Sequence, residues 1–539
     1  MCKAMKKRFI NKALVIGVGL SLLTFASCEK YLSQEPRNST YSEAFWKTAS
    51  DLNSAINNNY AIFRNAITTG NNQPRHFMYG DAVARNYFTI DYSGDGLEGI
   101  QTGDYTFQYN VENLGNWTNF YKSITMSNIV INRATQVTDE MMANTANPTE
   151  FRNNIIGQAY FLRALSYFYI ARVWGDAPIV VEEYDDVLNA PELPRDPVAD
   201  VLKQAEDDAR MAASLLKWTY TSPNLAKVTA NRGSAYALLS HIFMWRATMT
   251  DVTTDAPIMA DINSADTTLR QLIANGGYAL VDTSRYYETF IGRSSEGIFE
   301  LNASDDQLEG STNHIARYFL RTAYMVNGST NRNHVTPTYL NSHFYRLETV
   351  WQWVWYANPG EWRWEGVPTR TRDMSDVRAY KGFTDLSTNR PTTIKYHKVN
   401  YRNPITMSGA HISNNLIIFR LSDMLLLQAE VAIHKGELET ARTIINSFRT
   451  RNGTHPTALL ASGLSRNQVM AEYMIERSKE LFLEGHLFYD GLRTRQYITY
   501  APWLSLGRFR QEGFYWPLAP IHFRNNPNLR QTAYWRGKI

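Results

Sequence analysis

Apolar positions keep a helical period over long blocks of this chain and lose it in two places. The clearest block runs from Asn415 to Arg495. In Phe419 to His434, Leu421, Leu425, Ala429 and Ala432 recur at steps of three and four, and Met424, Leu427 and Val431 widen the stripe. That is the pattern of a helix buried on more than one side. Gly436 stands where a left-handed C-cap belongs. A second helix follows, with Leu438, Ala441, Ile445 and Phe448 on one face and Gly453 at its end. Two helices joined by a glycine turn, with small residues at the crossing, are the unit of a tetratricopeptide-type array. Ser465 and Gln468 fit a capping box for a third helix. It reads through Met474 to His486 and on to Arg493.

The first half repeats the pattern less regularly. Thr40 and Glu43 fit a capping box for a helix reaching about Ile67. Trp117, Tyr121, Ile124, Asn128 and Ile131 mark the next helix, and Thr149 to Trp174 a longer one. Asp196-Pro197 reads as an N-cap with proline at the first helical position, opening a helix to Leu216. Thr229 caps another, and a short helix ends at Gly276-Gly277. These are three or four helix pairs without a fixed repeat length, a degenerate array. Between them lie two inserts. Residues 70–116 are rich in Gly, Asn, Asp and Tyr and read as a loop whose length implies function. Residues 297–414 read as loop and strand. Gly297 to Leu301 is a strand, and Trp351 to Tyr356 alternates at period two. Asn358-Pro-Gly360 marks a turn and Trp362-Arg-Trp364 alternates again, predicting a β-hairpin with a Trp-rich face.

Residues 1–27 read as an address. Lys3, Lys6, Lys7, Arg8 and Lys12 precede an apolar stretch, Ala13 to Phe25, of signal-peptide length. Ala26-Ser27-Cys28 reads as a lipoprotein processing site, with Cys28 as the lipidated residue. Several acyl chains on one cysteine anchor far better than one. The net charge is +4, and losing those five basic residues leaves −1. Nothing electrostatic then favours nucleic acid. Cys2 and Cys28 are the two cysteines, so the body of residues 28–539 offers no disulfide and no thiolate site.

Several stretches resemble the SusD/RagB family of nutrient-binding outer-membrane lipoproteins. Arg420-Leu-Ser-Asp-Met-Leu-Leu-Leu-Gln-Ala-Glu430 is similar to that family's RLADVLLMYAEA helix, and Glu476 to His486 to its ERRRELAFEGHR segment. Gln158 to Tyr169, followed by Trp174-Gly-Asp-Ala-Pro178, is similar to a third motif. Trp516-Pro-Leu-Ala-Pro520 and Asn526 to Gln531 resemble the family's ending. The fold implied, and supported by the helix pairs, is mostly α: a tetratricopeptide-like helical-pair scaffold with a loop-rich, partly β ligand-binding face. One domain, 28–539, is expected, with parts 28–260 and 261–539. The resemblance implies a surface-exposed, non-catalytic outer-membrane lipoprotein that binds a glycan. It also implies delivery of that glycan to a SusC-like TonB-dependent barrel transporter. Peptide capture is the alternative within the family, and glycan hydrolysis the alternative from another class.

Catalytic chemistry finds little support. The chain has no His-Glu-x-x-His, no Gly-x-Ser-x-Gly and no phosphate-cradling glycine loop. Asp91, Ser93, Asp95 and Gly96 imitate the start of a calcium loop, but position twelve is Thr102. No metal or cofactor is expected. Glu476, Glu480 and Glu484 stand four apart and could be a carboxylate pair of the glycosidase kind. Like charges at that spacing need cations, and Arg420, Arg449 and Arg477 are the candidates, which makes a structural role the stronger reading. The aromatic residues are the informative excess. Of thirteen Trp residues, five fall between 351 and 364. Sugars present C–H faces that pack on aromatic rings and hydroxyls that need polar neighbours. Tyr92, Tyr318, Trp351 and Trp355 are therefore candidate glycan contacts, with Asp81 and Arg85 supplying polar groups. The alternative is that the hairpin hides its Trp face as core.

Overall fold

A computed structural model describes residues 45–69, 74–184, 191–306, 309–310, 314–320 and 332–539. Cys28, Thr40 and Glu43 lie outside the described residues. The frame is a layer of helices packed in sequence. Helices α1 (Ala49–Thr68), α2 (Thr118–Gln136), α3 (Pro148–Trp174) and α4 (Val198–Leu215) form its first half. Helices α5 (Arg232–Met249), α6 (Met259–Asn275), α7 (Leu421–Lys435) and α8 (Leu438–Arg451) form the second. Each packs on the next, α6 reaching α7 across the long insert, so four helix pairs make a tetratricopeptide-like array. Helix α9 (Arg466–Glu480) closes it against α7 and α8. One hydrophobic core runs through both halves, from Leu52 to Trp535.

The local signals explain most boundaries and correct some. Helix α1 starts at a Thr48/Asp51 capping box. The predicted Thr229 cap belongs to Asn231, whose side chain accepts the Ser234 N–H at 2.8 Å. Pro197 rather than Asp196 is the N-cap of α4. Asp176 takes the Val198 N–H at 2.8 Å, and Asp196 instead accepts from Ile179 N–H at 2.9 Å. Gly436 is left-handed as its position requires, with φ 79°. Helix α6 is seventeen residues, not a short one.

Phe419 and Arg420 belong to a strand rather than to the helix after them. The segment Leu416–Arg420 pairs antiparallel with Gly297–Leu301, and this two-stranded sheet is fully buried. The apolar run Leu416 to Phe419 is too short to carry a period that separates strand from helix.

The helix expected from Met474 to His486 stops at Glu480. Leu483 and Gly485 then take positive φ, 54° and 78°. Glu484 therefore does not share a helix face with Glu476 and Glu480. A short helix, α10 (Leu487–Arg493), follows.

Insert 70–116 is not a surface loop over most of its described length. Met78, Tyr79, Val83, Tyr87 and Phe88 are buried, and the Tyr87 hydroxyl accepts the Leu483 N–H at 2.9 Å in the turn after α9. A Cβ on Gly80 would stand 2.1 Å from the Gly485 carbonyl oxygen, so the two backbones touch there.

Candidate functional site

Two features of the described surface could take a ligand, and one segment joins them. Strand β1 (Phe88–Ile90) pairs antiparallel with a later strand, Asn333–Val335. The chain leaving β1 turns through Gly94 and Gly96, both at positive φ. Tyr92 projects from that turn and is 80% exposed. Beside it, Asp91 is paired with Arg390 and lies 3.6 Å from His334 Nδ1. Arg332 grips Asp95 with two N–H groups, at 2.6 and 2.7 Å. The two carboxylates of the calcium-like motif are thus engaged by arginines, which removes the charge a cation would need. Arg332 and Arg390 lie 237 and 299 residues from their partners, and no sequence signal links them.

The second feature is the Trp hairpin. Tyr345–Tyr356 and Glu361–Arg372 pair antiparallel over their whole length. Twelve residues give a ribbon ~40 Å long. It is tied down at its base. Tyr345 donates to Glu472 at 2.9 Å under the Arg370 guanidinium, and Leu347 N–H donates to Thr457 Oγ1 at 3.0 Å. Beyond the base no residue from 346 to 372 is buried. Counting back from the turn, the register sets Trp355 opposite Trp362, Trp353 opposite Trp364, and Trp351 opposite Gly366. All five indoles therefore share one face, each between 51 and 61% exposed.

Four of the indoles form two cross-strand pairs, with centroids 5.5 and 5.4 Å apart and planes tilted by 60° and 53°. Such pairs hold a ribbon in register. Trp351 lies over Gly366, where a Cβ would meet its ring at 3.4 Å. The opposite face is mixed, with Val350, Val354 and Val367 beside polar groups, among which Tyr356 donates to Glu365 at 2.7 Å beneath the Arg363 guanidinium. The core reading of this hairpin is wrong on both faces. Arg372 at its base donates to the Leu386 carbonyl at 3.2 Å. Arg390, a few residues on, holds Asp91, so segment 385–390 links ribbon and Tyr92 turn.

The other predicted contacts divide. Arg85 is exposed. Asp81 is a correction: it is fully buried and accepts the Gly485 N–H at 2.7 Å. Burial pushes its carboxyl up to about 8 against the pull of that N–H. It ties the insert to the turn after α9 and cannot meet a ligand at the rim. Tyr318 is a second correction: it is 8% exposed, in the short helix Ala316–Phe319. Sequence reasoning passed over Trp353, Trp362 and Trp364. Pairing by alternation from the turn would have placed them with the two it selected.

The carboxylates of α9 lie in a buried ion network. Glu480 meets Arg420 and Arg378, both at 2.9 Å. Glu484 meets Arg420 at 2.8 Å and Lys395 at 2.6 Å, and Glu476 meets Arg378, Arg449 and Lys479. Arg477, expected among these partners, pairs instead with Asp423 and Asp490. Burial would raise the Glu480 carboxyl, but Arg420 and Arg378 outweigh it and hold it at about 2. No glycosidic bond can reach these groups. His241, Asp423 and His486 come within 4.8 Å of one another and are the one metal-like cluster among the described residues. Asp423 is already shared by His241 and Arg477, at 2.7 Å each, so the cluster reads as a hydrogen-bonded core.

Comparison with known proteins places the whole chain. Residues 30–244 match a family profile described as starch-binding associating with outer membrane, and residues 279–535 match the SusD family profile. The SusD-like protein P38 of Formosa agariphila is 23% identical over 555 residues, spanning 98% of this chain and 99% of that protein. A SusD homolog from Bacteroides thetaiotaomicron of known crystal structure has the same fold. It gives a TM-score of 0.73 at 22% identity and covers 90% of this chain and 98% of its own. B. fragilis NanU gives 0.66 at 19% identity, covering 92% of this chain and 99% of its own.

Proposed function

This chain belongs to the SusD family, and on that premise we propose that it is a non-catalytic surface lipoprotein that captures a glycan. Cys28 carries the lipid, the glycan-binding side faces outward, and the glycan passes to a SusC-like TonB-dependent transporter. No helix among the described residues is long and apolar enough to cross a membrane. One observation carries the reading: five indoles, each more than half exposed, stand on one face of a ribbon in which only Tyr345, at its base, is buried. An apolar patch of this kind marks a surface with a partner. Trp351 offers an indole without an aromatic partner among the described residues, the cross-strand pairs keep the ribbon rigid, and Tyr92 adds a ring at a second place. Beside Tyr92, Asp91 and Arg390 supply charged groups for hydroxyls, and the exposed Arg85 is a further candidate. Rings contribute about 0.5 to 1.5 kcal/mol each beyond area burial. Two or three with several hydrogen bonds give roughly micromolar to millimolar affinity, suited to capture followed by release.

The test is calorimetry against the best ligand from a polysaccharide panel, first ranked by affinity electrophoresis. Trp351→Ala and Tyr92→Ala should each weaken binding about several-fold to a hundredfold with the fold intact. Unchanged affinity in both variants would move the site to another face.

A further inference from the structure

The ribbon has two edges as well as two faces, and the edges differ. Along an antiparallel pair, opposed residues alternate. One pair exchanges both backbone bonds, and the next turns its N–H and C=O groups outward. Three contacts fix the alternation here. Asp373 N–H donates to the Phe344 carbonyl at 2.9 Å, one step before the Tyr345–Arg372 pair. Leu347 N–H leaves the ribbon for Thr457 Oγ1 at 3.0 Å. Pro368, which has no N–H, stands opposite Thr349. The odd-numbered residues of the first strand therefore turn their backbone groups outward. Thr349, Trp351, Trp353 and Trp355 carry a row of N–H and C=O groups along that edge, in solvent and without a partner among the described residues.

The second strand is guarded. Pro368 interrupts its outer edge, and Glu361, Arg363 and Glu365 place a charge at every second position. Proline and charge are the usual protections of an exposed edge. The first strand has neither between Thr349 and Trp355, which reads Thr-Val-Trp-Gln-Trp-Val-Trp. An uncharged run of strand formers with an open edge is a template for another strand.

We propose that this edge pairs antiparallel with the same edge of a second copy, joining two ribbons into one four-stranded sheet. The occupant follows from the spacing. The four outward residues are symmetric about Gln352, so a two-fold axis there pairs all of them: Thr349 of one copy with Trp355 of the other, and Trp351 with Trp353. On the opposite face the same axis sets Val350 against Val354, Glu348 against Tyr356 and Gln352 against its own copy. No like charges meet. Moving the axis by one residue would set an outward residue against Leu347, whose N–H is engaged, or against the turn. The axis is perpendicular to the sheet, so the indoles of both copies share one face. The inference concerns the edge and does not depend on what that face binds.

The Cys28→Ala chain, which has no cysteine beyond residue 27, carries the test. Gln352 of the two copies would form a non-hydrogen-bonded pair with Cα atoms ~4.5 Å apart, within disulfide reach. Gln352→Cys should therefore cross-link to a covalent dimer under mild oxidation. Val354→Cys lies on the same face but opposes Val350, and it should stay monomeric, as should the Cys28→Ala chain alone. Thr349→Pro deletes one outward N–H and no bond of the hairpin. It should lower the Gln352→Cys yield, and the self-association read by analytical ultracentrifugation at about 100 μM, by about tenfold or more. The exciton-coupled circular dichroism of the indole pairs should not change, which separates a lost edge from a lost ribbon. Equal cross-linking at 352 and 354 would overturn the register, and with it the second copy as occupant. A chain that stays monomeric and uncross-linked, or a Thr349→Pro chain that associates as well as its parent, would overturn the inference outright.

Discussion

Single residues in this protein divide by whether their charge is matched. Glu480 is fully buried between Arg420 and Arg378 and shares them with Glu296, Glu484, Asp376 and Glu476. Such a network adds little net stability when complete, but breaking one member strands its partners. Glu480→Gln should therefore cost about 3 to 5 kcal/mol, read as a lower Tm, with glycan affinity unchanged. A stable variant that had lost activity on a glycan would instead revive the hydrolase reading.

Asp81 is the opposite case, a buried carboxyl pushed up to about 8 and so protonated in the fold at neutral pH. Its folded value lies above the unfolded one, so its contribution is complete below the unfolded value and fades as pH rises through about 8. Buried histidines held neutral in the fold add stability as pH rises toward neutrality, so the Asp81 contribution is read as a difference: the stability of the parent chain minus that of Asp81→Asn should fall between about pH 4 and about pH 8 by chemical denaturation. An equal slope in both proteins would mean that Asp81 is ionised in the fold. The residue types at these positions were plain in the sequence. Their roles were not, because Asp81 and Gly485 are 404 residues apart and only folding brings them together.

At the scale of elements, the ribbon is the part whose purpose is least structural. A lone two-stranded hairpin is marginal in water, and this one is held by its anchored base and by two indole pairs worth about 0.5 to 1.5 kcal/mol each. Replacing Val350 to Val367 by a short glycine turn should shift Tm by less than about 2 °C and weaken polysaccharide binding about tenfold or more. If the excised protein unfolds, the ribbon belongs to the core after all. The hairpin was legible in advance because period-two alternation around a Pro-Gly turn has one simple reading. What alternation leaves open is whether a Trp face is hidden or presented. The same apolar run can cover a helical layer or stand in solvent, and the local pattern does not differ. Helix ends show the same limit: Thr229 and Asn231 are both good caps, and the hydrogen bond to Ser234 decides between them.

For the whole molecule, attachment is predicted to depend on one residue. Cys28→Ala should shift the protein from the membrane pellet to the supernatant in cells lacking the transporter, and a variant that still sediments there would refute lipid anchoring. The helical array itself was readable from the chain, because 3.6-residue apolar stripes and glycine caps are local and repeat. Family membership was readable too, since Arg420 to Glu430 and Glu476 to His486 are continuous segments. The sequence by itself determined the helix pairs, the Trp alternation and the absence of cysteine chemistry from the body of the chain. Only the tertiary structure decided which polar groups are spent and which remain free. Glu480, Asp81 and Tyr318 are consumed inside, while Tyr92 and the indoles face solvent. Burial depends on what packs against a residue from distant parts of the chain, and that information is not carried by its neighbours in sequence.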